Sequence, residues 1–423
     1  MIDGELNIML RKVYRKVGGN AKVLIATEPL WSIPMNWVFF YRPMFLSIII
    51  GLSSTEIGLL ITIFNSLASI MPILGGYLAD RFGRKIVLML FDSVCSLLSL
   101  IIWVFSRNIW HVFLAYIIES CVSTIYSVWE CLLVEDTHSE YRSIIYGSIS
   151  VMWTIGSLMT PIGGYIIGLY GLDHGCRILF LLAFCSLIPV FIIRQIYLKE
   201  PKITSRFSRE NPFSGIKGYL HLLSIVKGNR AILVALVIII VAGFYSSSYA
   251  YFSLYLIHGG GLGLSENTAS LIPFASSIVS LTLSMTVVPR LRSRDDYLEA
   301  LILGHGLGAL AILLLISSPI GFLPTALLSA SLLGFYSTVA YSVSRTFFVN
   351  QIDSVDDRAK AKTLSLSVTL SSLINLLTPT INGYLFGLNP KTPFIIIFAA
   401  LSASTLILLA LTFISKHGSP IRD

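Results

Sequence analysis

A few ionisable side chains interrupt long apolar stretches of this chain, and they are the residues most able to do chemistry. Arg42, Glu119, Glu130 and Arg345 all lie among Leu, Ile, Val, Phe and Ala. An ionisable group surrounded by hydrocarbon costs several kcal/mol unless it is paired or hydrated, so each demands a partner or a purpose. Arg42 lies nine residues before Gly51, and Glu119 lies ten residues after Ile109. At the helical rise of 1.5 Å per residue, they fall ~13 Å and ~15 Å from those ends. Opposite charges at equal depth make a guanidinium and a carboxylate able to hold an anionic or hydroxyl-bearing solute and to carry a proton on Glu119. A buried pair with a purely structural role is the competing reading. Asn36, a turn and a half before Arg42, joins this polar centre as a hydrogen-bonding side chain. Glu130 and Arg345 occupy similar positions near the inner ends of their runs, where they either bridge the two halves of the chain or reach individually to the interface. Glu28 is expected to reach the interface and Asp92 to serve the scaffold. His305, among Gly304, Gly306 and Gly308, is expected to be a packing histidine.

The elements that must position these groups follow from composition. Of 423 residues, 55% are hydrophobic and 12% charged, against ~25% charged in soluble proteins. Too little polar surface remains for a water-facing shell, so the solvent is lipid. Apolar runs of membrane-spanning length recur at 24–49, 54–78, 86–105, 109–135, 144–169 and 177–198. They resume at 231–257, 266–289, 297–316, 321–349, 362–387 and 393–415. Backbone groups in lipid must be satisfied within their own segment, so these runs are expected to be helices. Pro34, Pro43, Pro161, Pro273 and Pro379 mark places for kinks. The expectation is an all-α integral membrane protein of twelve transmembrane helices, in two pseudo-symmetric six-helix bundles around a central cavity. Residues 1–198 form the first bundle, 199–230 a cytoplasmic linker with Pro201 and Pro212, and 231–423 the second.

Charge placement orients the chain. With both termini in the cytoplasm, cytoplasmic segments hold 25 of the 30 Lys and Arg residues. That is a strong positive-inside bias, and it accounts for the net charge of +8 without nucleic acid. The basic N-terminal arm shows no cleavable leader, so the first span is expected to double as the insertion signal, with a multi-pass place in the cell membrane. Cys95, Cys121, Cys131, Cys176 and Cys185 fit no metal or redox spacing. No cofactor, metal or catalytic cluster is expected, and the protein is read as a monomer rather than an enzyme.

The two halves also echo each other. Thr160-Pro161-Ile162-Gly163-Gly164-Tyr165 in the fifth run parallels Thr378-Pro379-Thr380-Ile381-Asn382-Gly383-Tyr384 in the eleventh, with one inserted residue. This is what duplication of a six-helix unit predicts.

Between the second and third runs stands Gly76-Tyr77-Leu78-Ala79-Asp80-Arg81-Phe82-Gly83-Arg84-Lys85. It resembles the signature loop of the major facilitator superfamily at every defining position. Gly51-Leu52-Ser53-Ser54-Thr55-Glu56-Ile57-Gly58 resembles the same superfamily's entry into span two. On physical grounds Gly76 permits close helix packing and Gly83 a tight turn. Asp80 is suited to capping a helix N-terminus, which the resemblance implies is that of span eleven. The resemblance also implies that Arg84 pairs with Glu135 or Asp136, closing the cytoplasmic side in one state, with Arg81 part of the same loop. The second copy of the loop, Pro289 to Asp296, keeps the basic residues and loses the glycines.

The resemblance implies secondary transport of a small solute by alternating access, without ATP, since no phosphate-binding loop is present. Proton-coupled symport of a sugar or organic anion is the favoured form. Drug export is an alternative: Gly156, Pro161, Gly163 and Gly164 partly match an antiporter motif, although span four lacks the usual arginine. A sensor or membrane enzyme on the same scaffold is the rival from another class. Tyr245, Tyr249 and Phe252 fall on one helical face, and with Trp37, Tyr41, Trp129 and Tyr341 they are expected to line the cavity.

Overall fold

The computed structural model describes residues 16–138, 141–200, 230–344, 346–348 and 360–417. Every regular element among them is helical. The first half comprises α1 (Gly19–Met44), α2 (Ser54–Phe82), α3 (Arg84–Phe105), α4 (Ile109–Ser120), α5 (Tyr126–Val134), α6 (Arg142–Leu158) and α7 (Thr160–Tyr197). The second comprises α8 (Arg230–Ser247), α9 (Tyr249–Ile257), α10 (Glu266–Ala269), α11 (Leu271–Thr286), α12 (Arg294–Ser317), α13 (Leu323–Thr338), α14 (Lys360–Leu388) and α15 (Thr392–His417).

Seven helical runs among the described residues are long and apolar enough to cross a membrane, and the bent pair α8–α9 makes an eighth. One of them, Ile144–Tyr197, counts 54 residues, roughly 80 Å if straight and therefore well over one bilayer. It turns at Gly171, where φ is 73°, in the left-handed region that glycine alone enters at no steric cost. That turn separates the fifth apolar run from the sixth.

The chain divides into two compact units, Met1–Ser53 with Leu59–Arg206, and Ser54–Gly58 with Phe207–Asp423. Most of the expected linker lies outside the described residues.

Each unit has its own core, and each uses its copy of the repeated Thr-Pro segment in the same way. In the first unit α1 packs against α6 and α7. Gly163 lies under the Trp37 ring, and the Trp37 indole donates to the Met159 carbonyl at 2.8 Å. The same carbonyl also accepts from the Ile162 amide at 3.1 Å, where the helix breaks before Pro161. In the second unit, the buried amide of Asn382 donates to Ser248 Oγ at 2.7 Å, and the Tyr251 hydroxyl donates to the Pro379 carbonyl at 2.7 Å. Asn382 of the second copy thus braces the place where α8 and α9 bend by 46°. Elsewhere in this unit Gly304 and Gly308 of α12 let Val339 and the Tyr336 ring approach closely. His305, fully buried, bonds the Leu301 carbonyl at 2.8 Å and meets the Tyr336 ring edge-on. It is a packing residue in this setting.

Candidate functional site

Local irregularities bring Arg42 and Glu119 together. Helix α1 carries Pro29, Pro34 and Pro43, and beyond Arg42 it widens into a π-turn over Phe45–Ile49. Glu119 ends α4 just before the chain tightens into a 3-10 turn over Cys121–Ile125. Such departures from α-geometry re-aim side chains and often mark functional positions. Asn108 caps α4 by accepting from the His111 amide at 3.1 Å, which fixes where that helix starts and so the depth of Glu119.

Arg42 Nη1 donates to Glu119 Oε1 at 3.0 Å, with the two side chains only 8% and 13% exposed. The Trp103 indole donates to the other oxygen, Oε2, at 3.2 Å. The guanidinium carbon lies 4.7 Å from the Trp103 ring centre, 5.5 Å from Phe39 and 5.6 Å from Tyr116. Arg42 is therefore held by one carboxylate and three aromatic faces, which attract a cation through their quadrupoles. Tyr116 is also a polar partner of the guanidinium, while Nε and Nη2 make no hydrogen bond of good geometry among the described residues. Phe39 precedes Arg42 by three residues and Tyr116 precedes Glu119 by three, so each ring shares a helix face with its charge. That spacing was available in the sequence. The reach of Trp103, from the end of α3, was not.

Other expected site residues are placed as follows. Asn36 is half-buried, donates to the Ser32 carbonyl at 2.7 Å and packs on Gly156. Tyr245 meets the Tyr336 ring edge-on, and Tyr249 is 45% exposed beyond the bend at Ser248. The bend breaks the single helical face on which Tyr245, Tyr249 and Phe252 were expected to align. Trp37 and Tyr41 are buried within the first unit. Glu130 is exposed, whereas Arg345 and the Tyr341 side chain lie outside the described residues.

In the signature loop Arg84 pairs with Glu135. Asp136 instead accepts from the Asn20 amide at 2.9 Å, at the start of α1. The turn itself is made by Gly83 at φ +92°, and Glu200 accepts from the Arg84 and Lys85 amides at 2.7 and 2.8 Å. A carboxylate there satisfies orphan amides and complements the helix dipole. Glu200 was not anticipated, because it belongs to the stretch read as linker. Gly75, not Gly76, makes the close contact, with Thr124; a Cβ on Gly76 would meet nothing within 4 Å. Asp80 and Arg81 are exposed, and the first turns of α14, where the partner of Asp80 was expected, lie outside the residues whose side chains are described.

The expectation for Glu28 is overturned. It is buried, as are Asp92 and Arg194, and the three form one network.

Comparison with known proteins gives this geometry its context. The family profile of the Major Facilitator Superfamily matches residues 32–355. The chain belongs to that superfamily. A cis,cis-muconate transport protein from Acinetobacter baylyi is 27% identical over 154 residues, 36% of each chain. A class H tetracycline resistance protein from Pasteurella multocida is 22% identical over 147 residues, 35% of this chain and 36% of that one. The match thus spans little more than a third of either curated relative. Among solved structures, a mutant of the nucleoside transporter NupG superposes with a TM-score of 0.71 at 15% identity, covering 93% of this chain and 99% of that one. A bacterial homologue of the lysosomal transporter Spinster gives 0.64 at 16% identity, covering 95% and 98%. These likenesses establish the fold. The described residues of this Major Facilitator Superfamily chain hold several helices long and apolar enough to cross a membrane, and passage of a small solute is the activity its family implies.

Proposed function

We propose that this chain is a proton-coupled symporter of a small organic anion, working by alternating access from twelve spans. Its place is the cell membrane, as a monomer with both termini in the cytoplasm. The observation that carries the reading is the buried Arg42, which spends one nitrogen on Glu119 and leaves Nε and Nη2 without a hydrogen bond of good geometry among the described residues. A planar guanidinium with such donors matches a carboxylate in charge and shape. Protonation of Glu119 would release Nη1 as well, so the proton and the anion would favour the same state of the site. This is the differential affinity that coupling requires. Asn36, a turn and a half away on the same helix, is a further polar contact.

The limited identity to a muconate transport protein supports the anion class, since muconate is a dicarboxylate. Drug export is the second reading. It is favoured by the identity to a tetracycline resistance protein and by Gly156 and Gly163, which bring α6 and α7 tightly against α1.

The test is transport by purified protein in proteoliposomes under an imposed pH gradient, with labelled cis,cis-muconate, a monocarboxylate, a sugar and tetracycline. Uptake of a carboxylate from the acidic side is the expected result. Tetracycline movement against the proton gradient, with no carboxylate uptake, would replace this reading by export.

A further inference from the structure

The first unit contains a second buried ionic cluster, separate from the Arg42 pair. Arg194 of α7 donates through Nη1 to Asp92 Oδ2 of α3 at 3.1 Å. It also donates through Nη2 to Glu28 Oε2 of α1 at 3.3 Å and through Nε to Thr27 Oγ1 at 3.0 Å. The Trp153 indole donates to Glu28 Oε1 at 2.7 Å, and the Ser96 hydroxyl to Asp92 Oδ1 at 3.3 Å. The three charged side chains are 3–4% exposed. Each guanidinium nitrogen donates one hydrogen bond, and each carboxyl group accepts on both oxygens.

The charges do not balance. Two carboxylates share one guanidinium, so the fully ionised cluster carries one excess negative charge in a site that is only 3–4% exposed. Other charged groups on the surrounding elements are committed elsewhere or exposed: Arg177 pairs with Asp173, Lys85 donates to the Gln195 carbonyl, and Arg142 is exposed. Arg42 pairs with Glu119 and Arg84 with Glu135, while Glu200 and Asp136 bind backbone amides. Lys22 and Lys199 lie at the cytoplasmic edge, where Asn20 and Lys199 bond each other, and Glu130 is exposed. The remaining titratable neighbours are the thiols of Cys95, which interacts with Asp92, and Cys121 beside it. Neither supplies a positive charge. Carboxylates that share one site and one countercharge hold a proton between them, because both cannot ionise cheaply.

We propose that the Glu28–Arg194–Asp92 cluster binds one exchangeable proton, carried on Glu28. Arg194 makes its shorter bond to Asp92, which leaves Glu28 the more weakly held of the two carboxyls. Glu28 is also the carboxyl with an outlet. Its Oε1 is covered by Trp153, which is 46% exposed and stacked on Trp31, so displacement of one indole opens the proton's path. The structural chemistry stands by itself, and only the use of this proton in coupling rests on the transport reading above.

The test is infrared difference spectroscopy of the purified full chain in lipid nanodiscs, titrated from neutral to alkaline pH, with no solute present. The wild type is expected to show the carbonyl stretch of one protonated carboxyl, lost as pH rises and moved by ¹³C-labelling of Glu. Glu28→Gln and Asp92→Asn are both expected to abolish it, since each leaves one carboxylate for one guanidinium. Glu119→Gln should keep it, and Trp153→Phe should shift it. A wild type without the band overturns the proposal even if a variant fails to fold. So does a band that vanishes in Glu119→Gln, or one that survives both Glu28→Gln and Asp92→Asn. Because no transport is measured, failure here is separable from failure of the anion-symport reading.

Discussion

Neutralising the Arg42–Glu119 pair one partner at a time should cost more than neutralising both. The side chains are 8% and 13% exposed, so solvent screens them little. Removing one partner of a buried pair costs about 3–5 kcal/mol, mostly from the stranded charge. The two single variants should differ. Glu119→Gln strands a guanidinium that still faces Trp103, Phe39 and Tyr116, and desolvated cation–π contacts return roughly 2 kcal/mol. Its net cost is then about 1–3 kcal/mol. Arg42→Met strands a carboxylate supported only by the Trp103 indole at 3.2 Å and should cost the full 3–5 kcal/mol, about. The double variant strands no charge and should cost less than Arg42→Met alone, a coupling of about 2–3 kcal/mol. For a unit of this size each kcal/mol corresponds to about 2–4 °C, so Arg42→Met should fall by about 6–20 °C and the double variant should recover. The assay is thermal unfolding in detergent, followed by a thiol-reactive dye that reaches the buried Cys176 only on unfolding. Additive losses in the double variant would refute the pair as a coupled unit.

Three further outcomes are expected. Ser293→Ala should destabilise the second unit by about 1 kcal/mol, because Ser293 and Asp296 form a reciprocal capping box at the start of α12; loss of helical circular dichroism on heating reads it. Gly83→Ala places a Cβ at φ +92° and 3.2 Å from the Glu200 carboxyl, and should cost about 1–3 kcal/mol, with Glu200→Gln reducing stability by less. Asn382→Ala removes the bond that braces the α8–α9 bend and should lower the unfolding midpoint by the equivalent of about 1–3 kcal/mol, whereas Asn389→Ala, outside that contact, should not.

Much of the fold was legible because lipid imposes a simple rule: apolar runs of one length, basic loops on one side. The breaks were less so. Pro161 announces the interruption before α7, but no proline or glycine stands at Ser248, and its bend is set by Asn382 from another helix. Depth along a helix could be counted from the sequence, which is how Arg42 and Glu119 were matched. The direction a side chain takes around the helix could not be counted in the same way. Arg194, close to the inner end of its span, fits the positive-inside bias, yet it folds back to Glu28 and Asp92. Long side chains cross several ångströms that residue spacing does not record. Glu200 escaped for a related reason, since its capping role depends on where α7 delivers the chain and not on any local pattern.

The measurement that bears most directly on the central claim compares two modes of transport in Glu119→Gln proteoliposomes loaded with the solute that the wild type carries. If Glu119 is where the proton enters the cycle, the variant should still exchange labelled for unlabelled solute but lose accumulation driven by a pH gradient. Accumulation at the wild-type level in folded Glu119→Gln protein would contradict the account.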